Sequence, residues 1–163
     1  MEQFTFRSPS LTPGEFMPEK YVFNGMGCHG KNISPALEWE GFPDETKSFA
    51  ITVVDPDAPH ADGGWRHWTL VNIPAGTTAL AENASEKGLI PEDALEVEND
   101  FDEIHYGGPC PPRGDKPHRY VFTIYAMKTD HLNLNEHSDR TSVETLLHEN
   151  SIGKATFTVK YKR

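Results

Sequence analysis

The chain has 163 residues, the length of one ordinary domain, and with 36% hydrophobic and 10% aromatic residues it can build a packed core. Its 25 acidic side chains against 15 basic ones leave a formal charge of −10. That balance speaks against nucleic acid, whose phosphates need many Lys and Arg, and against adhesion to anionic membranes.

No stretch approaches the ~20 apolar residues that span a bilayer, so stable membrane insertion is not expected. The opening residues, Met1 to Phe6, show neither the basic nor the apolar region of a secretory signal. Cys28 and Cys110 are the only cysteines. One bridge between them is possible, but two cysteines make no disulfide scaffold, and reduced thiols in a cytoplasmic protein are the expectation. The Asn32-Ile33-Ser34 sequon would then be silent.

In chain order, residues 3–7, 20–23 and 37–39 are weak strand candidates. Residues 49–55 form a β-branched run closed by Pro56, and residues 68–73 a second run closed by Pro74-Ala75-Gly76. A short helix is expected near 91–98, with Pro91 at its first turn. Residues 120–125 are apolar enough to be buried on both faces. Thr141-Ser142-Val143-Glu144 fits a capping box for a helix reaching about Ile152, with Gly153 as its stop and Val143, Leu146 and Leu147 as its apolar stripe. At the end, Phe157, Val159 and Tyr161 alternate with polar residues. Strands this dense, with Pro, Gly, Asn and Asp turns between them, predict a single all-β dominated domain over 1–163. Its architecture should be an antiparallel two-sheet β-sandwich with one C-terminal helix and short peripheral helices. Residues 78–118 form the longest region without a strong strand signal, and loops of that length tend to be functional.

Gly25-Met26-Gly27-Cys28-His29-Gly30 matches the dinucleotide fingerprint in letters only. Pro35 and the lack of an amphipathic period rule out the helix that a pyrophosphate would need, so a glycine-rich loop is the better reading. Asp55-Pro56-Asp57-Ala58-Pro59 is more informative. Asp55 continues the inward face of Phe49, Ile51 and Val53, and an inward carboxylate needs partners. Asp57 is expected to cap its own turn. In Trp65-Arg66-His67-Trp68, strand parity puts Trp65 and His67 on one side and Arg66 on the other. In Gly107-Gly108-Pro109-Cys110-Pro111-Pro112, glycines beside prolines give a stiff loop with exposed amides, which suits an anion. His118 and Tyr120 share a parity and can line one wall. Together these stretches predict a small pocket in which His67, His118, Tyr120 and loop amides donate, and Asp55 orients a histidine and favours its charged form.

These residues resemble the signature of the phosphatidylethanolamine-binding protein family, also called Raf kinase inhibitor-like proteins, and most closely its small bacterial branch. The segments 55–59 with 65–68, and 108–112 with 118–120, are similar to the two family signatures. The stretches 28–39 and 99–101 are similar to those usual in bacterial members. The resemblance implies a β-sandwich with an anion-binding cavity lined by Asp55, Trp65, His67, Pro111, His118 and Tyr120, with loop backbone near Gly108 and Cys110 and with Pro59 on the rim. It implies a homodimer and no cofactor. Glu149-Asn150 departs from the Gly-His common in bacterial members, on a helix that bears on the interface rather than the pocket.

The expected function is non-enzymatic binding of a small phosphate-bearing or headgroup-like anion. The alternative is a protein-interaction regulator, an inhibitor of a kinase or a protease, acting through the pocket rim. Catalysis is not expected, since neither G-x-S-x-G nor H-E-x-x-H occurs. A Cys110–His118 thiol–imidazole pair is the one catalytic arrangement to consider. The histidines show no metal-ligand spacing.

Overall fold

The computed structural model describes residues 3–58 and 63–163. Among these residues, eight strands form two sheets. They are β1 (Thr5–Arg7), β2 (Leu37–Glu40), β3 (Ser48–Asp55), β4 (Trp65–Pro74), β5 (Ala79–Leu80), β6 (Leu95–Val97), β7 (His118–Met127) and β8 (Ser151–Tyr161). The large sheet has the order β6-β4-β3-β7-β8 and the small one β1-β2-β5, with every neighbouring pair antiparallel. The expected sandwich is therefore present.

Alternation along the strands explains the layering. Phe49, Ile51 and Val53 of β3 and Phe122 and Ile124 of β7 face Phe6, Leu37, Trp39 and Leu80 of the small sheet in the main core. Ala50 of β3, Val71 of β4 and Met127 of β7 belong to a second cluster with Val143 and Leu147. Those last two lie on the longer helix, α2 (Arg140–Asn150), which covers the outer face of the large sheet. β3 and β7 are thus buried from both sides, as the apolar run at 120–125 predicts.

Several local expectations need correction. Residues 20–23 are no strand: Glu19–Tyr21 make one 3₁₀ turn after Pro18, in which Tyr21 and Val22 donate to the carbonyls of Pro18 and Glu19. The helix expected near 91–98 is absent. Pro91 opens a turn closed by Ala94, and Leu95–Val97 then pair with Val71–Thr69 on the open edge of β4. A single helical turn lies earlier, α1 (Ala84–Lys87), between Asn83 and Gly88, both at positive φ. The longer helix starts two residues sooner than the capping box suggests, because Asp139 Oδ1 accepts from Ser142 N at 2.7 Å. It ends at Asn150, and Gly153 lies inside β8.

Candidate functional site

The strand ends set the site. The pairing of β3 with β4 shifts twice, once between Phe49 and Ile51 and again where Val53 faces Trp68 but Val54 faces Arg66, and the second shift leaves His67 as an extra residue on β4. Such a bulge re-aims side chains. Here it lets two consecutive residues turn inward: Trp68 enters the main core, while His67 lines a cavity. Strict alternation would have sent one of them outward. Arg66 points away, as its parity predicts, and both a backbone amide and its guanidinium bind Asp100.

The cavity has a volume of about 230 Å³ and is bounded by the ends of β3, β4 and β7 together with two loops. Asp55, Trp65, His67, Cys110, Pro111, His118 and Tyr120 all line it. Four of the polar groups are almost wholly buried: Asp55 at 3%, His67 at 3%, His118 at 4% and Tyr120 at 1% exposure. Met26, Phe101 and Pro112 supply further apolar wall. Of the remaining expected site residues, Pro59 lies outside the described residues. Gly108 is not in the lining, because its amide N–H is donated to Asn32 Oδ1 at 2.7 Å and so is not presented to a ligand. A Cβ at Gly108 would lie 2.1 Å from the Tyr21 carbonyl oxygen; this glycine serves close packing of two loops.

The expectation of free thiols is overturned. Cys28 and Cys110 form a disulfide across 82 positions, with Cα atoms 6.0 Å apart. The bond joins the glycine-rich loop to the cavity loop, where Phe23 N also donates to Pro109 O and the rings of Phe23 and Phe101 stack 4.1 Å apart. The thiol–imidazole pair is thereby removed. Asn32, the sequon asparagine, is engaged at both ends of its amide, donating to Tyr106 O and accepting from Gly108 N.

Hydrogen bonds assign most of the protons. Asp55 Oδ1 accepts from Asp57 N, so Asp55 and not Asp57 makes the turn bond; Asp57 instead holds the Arg119 guanidinium. Asp55 Oδ2 lies 2.5 Å from His118 Nδ1, and Asp115 Oδ2 lies 2.9 Å from His118 Nε2. Burial opposes charge on His118, but the bonds and charges of the two carboxylates outweigh it and raise its pKa. His118 is an imidazolium with both N–H groups taken. His67 is its opposite. Burial lowers its pKa, and Nδ1 lies 2.8 Å from the Gly107 carbonyl oxygen. A carbonyl only accepts, so Nδ1 holds the proton and the neutral ring keeps a lone pair on Nε2. Burial, and then the charge of Asp55, push the Tyr120 phenol far up, so it stays protonated. Neither Tyr120 Oη nor Trp65 Nε1 has a hydrogen-bond partner among the described residues.

Sequence reasoning missed Met26, Phe101 and Asp115. A methionine among glycines and an aspartate after Gly114 both carry ordinary turn signals, and nothing local marks them as neighbours of the cavity.

Comparison with known proteins converges on one family. The model for phosphatidylethanolamine-binding protein matches residues 7–162. UPF0098 protein YbcL of Escherichia coli K12 is 44% identical over 161 residues, covering 98% of this chain and 87% of that protein. UPF0098 protein YbhB of the same strain is 39% identical over 156 residues, covering 94% and 97%. The crystal structure of YbcL, a member of the mammalian PEBP family, superposes with a TM-score of 0.94 at 43% identity over 98% of each chain. The carboxypeptidase Y inhibitor in complex with its proteinase shares the fold at a TM-score of 0.56 and 16% identity, over 98% of this chain and 82% of that one.

Proposed function

The chain belongs to the phosphatidylethanolamine-binding protein family, and on that premise we propose that its cavity binds the phosphate-type group of a small ligand without transforming it. One observation carries this reading: the buried Tyr120 hydroxyl and Trp65 indole N–H, on two side chains of one cavity, have no partner among the described residues. An unpaired buried donor costs about 1–3 kcal/mol, and an acceptor-rich ligand removes that cost. His67 Nε2 accepts from a protonated phosphate oxygen and becomes a donor once its ring is charged. The apolar wall of Trp65, Phe101 and Pro111 suits the carbon part of an ester. Binding without turnover fits a site whose cysteine sulfur is bonded to Cys28.

The test is calorimetric titration with inorganic phosphate and with O-phosphoethanolamine at pH 6 and pH 8. Tighter binding at pH 6 is the expected result, because a falling pH puts on the phosphate the proton that the His67 Nε2 lone pair accepts. Equal affinity at the two pH values would count against the reading.

For the protein-partner alternative, the support is a shared fold with a proteinase inhibitor, and fold alone does not carry function. Unchanged capture of a protease or kinase by an Asp55→Ala variant would place that role away from the pocket. The homodimer remains part of the proposal, with sedimentation velocity as its check. No helix among the described residues is long and apolar enough to cross a membrane. The Cys28–Cys110 bond favours an oxidising compartment over the cytoplasmic location expected from two isolated cysteines.

A further inference from the structure

His118 stands between two concavities. It lines the cavity described above, and it also lines an outer depression shared with Asp57, Asp115, Lys116, Arg119 and Lys160. Its Nδ1 is held by Asp55, which is buried; its Nε2 meets Asp115, whose side chain is 38% exposed and sits on a turn where Asp115 N donates to Pro112 O. The two carboxylates therefore differ in kind. Asp55 is anchored in β3 and bonded to the turn at Asp57, whereas Asp115 is at the surface with its carboxylate on a charged N–H.

A carboxylate oxygen on an imidazolium N–H is chemically what a phosphate oxygen would be in the same place. We propose that Asp115 is a built-in competitor, occupying the anion position on His118 Nε2 and setting how readily the site accepts an outside anion. The inference rests on the phosphate-binding reading above and adds the residue that controls it. Local charge points the same way. The outer depression gathers Lys116, Arg119 and Lys160 around His118, a basic surrounding that attracts an anion, and Asp115 is the carboxylate that already holds His118 Nε2 there. Swinging Asp115 aside removes one negative charge from beside the ring and bares a donor near Lys116 and Lys160. Arg119 stays tied to Asp57.

If Asp115 holds Nε2 in about nine-tenths of molecules, its removal tightens binding about tenfold, because apparent affinity scales with the competent fraction. The experiment compares wild type, Asp115→Ala and Asp115→Asn in titrations with inorganic phosphate at pH 6 and pH 8. His118 protonation is followed in parallel by NMR of the imidazole. Asp115→Ala is expected to bind phosphate about five- to twentyfold more tightly at pH 6, with less gain at pH 8. There His118, having lost one of the carboxylates that hold its proton, begins to discharge. Asp115→Asn, which keeps an oxygen but not the charge, should fall between. Phosphate binding by wild type with no gain in Asp115→Ala overturns this inference and leaves the binding function standing. Absence of phosphate binding in all three proteins overturns both.

Discussion

Asp55 Oδ2 and His118 Nδ1 meet at 2.5 Å, with each side chain 4% exposed, at the point where β3 ends and β7 begins. A charged pair at that depth is costly to desolvate and costlier to break, because the survivor keeps its burial and loses its partner. Asp55→Ala also strips the Asp57 amide of its acceptor. We expect it to destabilise the fold by about 3 kcal/mol, at the lower end for a broken buried pair because Asp115 still faces the ring. Urea unfolding measures this, and a loss below about 1 kcal/mol would mean that the pair is not formed in solution.

The two cavity histidines should shape the pH profile in opposite senses. The pKa of His118 is raised in the folded state, so its contribution is complete below the ordinary value of 6.5 and is lost as pH rises through the folded value. That of His67 is lowered, so its contribution is complete above 6.5 and is lost as pH falls through the folded value. Thermal midpoints should accordingly peak between the two. His118→Gln is expected to flatten the alkaline limb and His67→Gln the acid limb near neutrality. Identical profiles for the two variants would contradict the assignment.

Tyr120→Phe separates a structural hydroxyl from one that serves a ligand. The hydroxyl has no partner among the described residues, so deleting it should leave stability unchanged or raise it by up to about 1 kcal/mol. The same change should weaken phosphate binding by about three- to tenfold, the effect of one neutral hydrogen bond. Loss of stability with unaltered binding would reverse both halves of the interpretation.

How much of this was legible in the sequence follows from the range of the forces involved. Alternation is local, so β3, β7 and β8 and the facing of Asp55 could be read directly. His118 and Tyr120 share one wall for the same reason. The β4 bulge is not local: it arises from pairing with β3, and parity alone could not show that His67 and Trp68 both turn inward. Residues 91–98 lost to a tertiary demand, since the hydrogen-bonding edge of β4 outbids a weak helix. The early start of α2 belongs to a competition between two possible caps, Asp139 and Thr141, that only geometry decides. Asp115 remained hidden because its meaning depends on a ring three residues away being charged and buried, and that is set by Asp55 from another strand. The cysteines were misjudged on number. Two thiols in a chain of this length suggest none of the density of a disulfide scaffold, yet the loops that carry them are already brought together by the Phe23–Pro109 backbone bond.

The Cys28–Cys110 bond yields the last prediction. It closes a loop of 82 positions, for which the chain-entropy relation gives about 4.5 kcal/mol of stabilisation, and measured values commonly fall at about 2–5 kcal/mol. The lower half of that range is expected here, because other contacts also join the two loops: Gly108 N to Asn32, and the stacked rings of Phe23 and Phe101. Oxidised wild type should unfold at higher urea than either reduced wild type or Cys28→Ser/Cys110→Ser, with the latter two close together. Met26 and Cys110 both line the cavity, so loosening the loops that carry them should also weaken phosphate binding while His118 keeps its proton. Thiol labelling of the unfolded, unreduced protein gives the direct check. Two reactive cysteines in protein isolated from its own cell would show that the bond does not form there, and would return the chain to the reducing compartment that its composition first suggests.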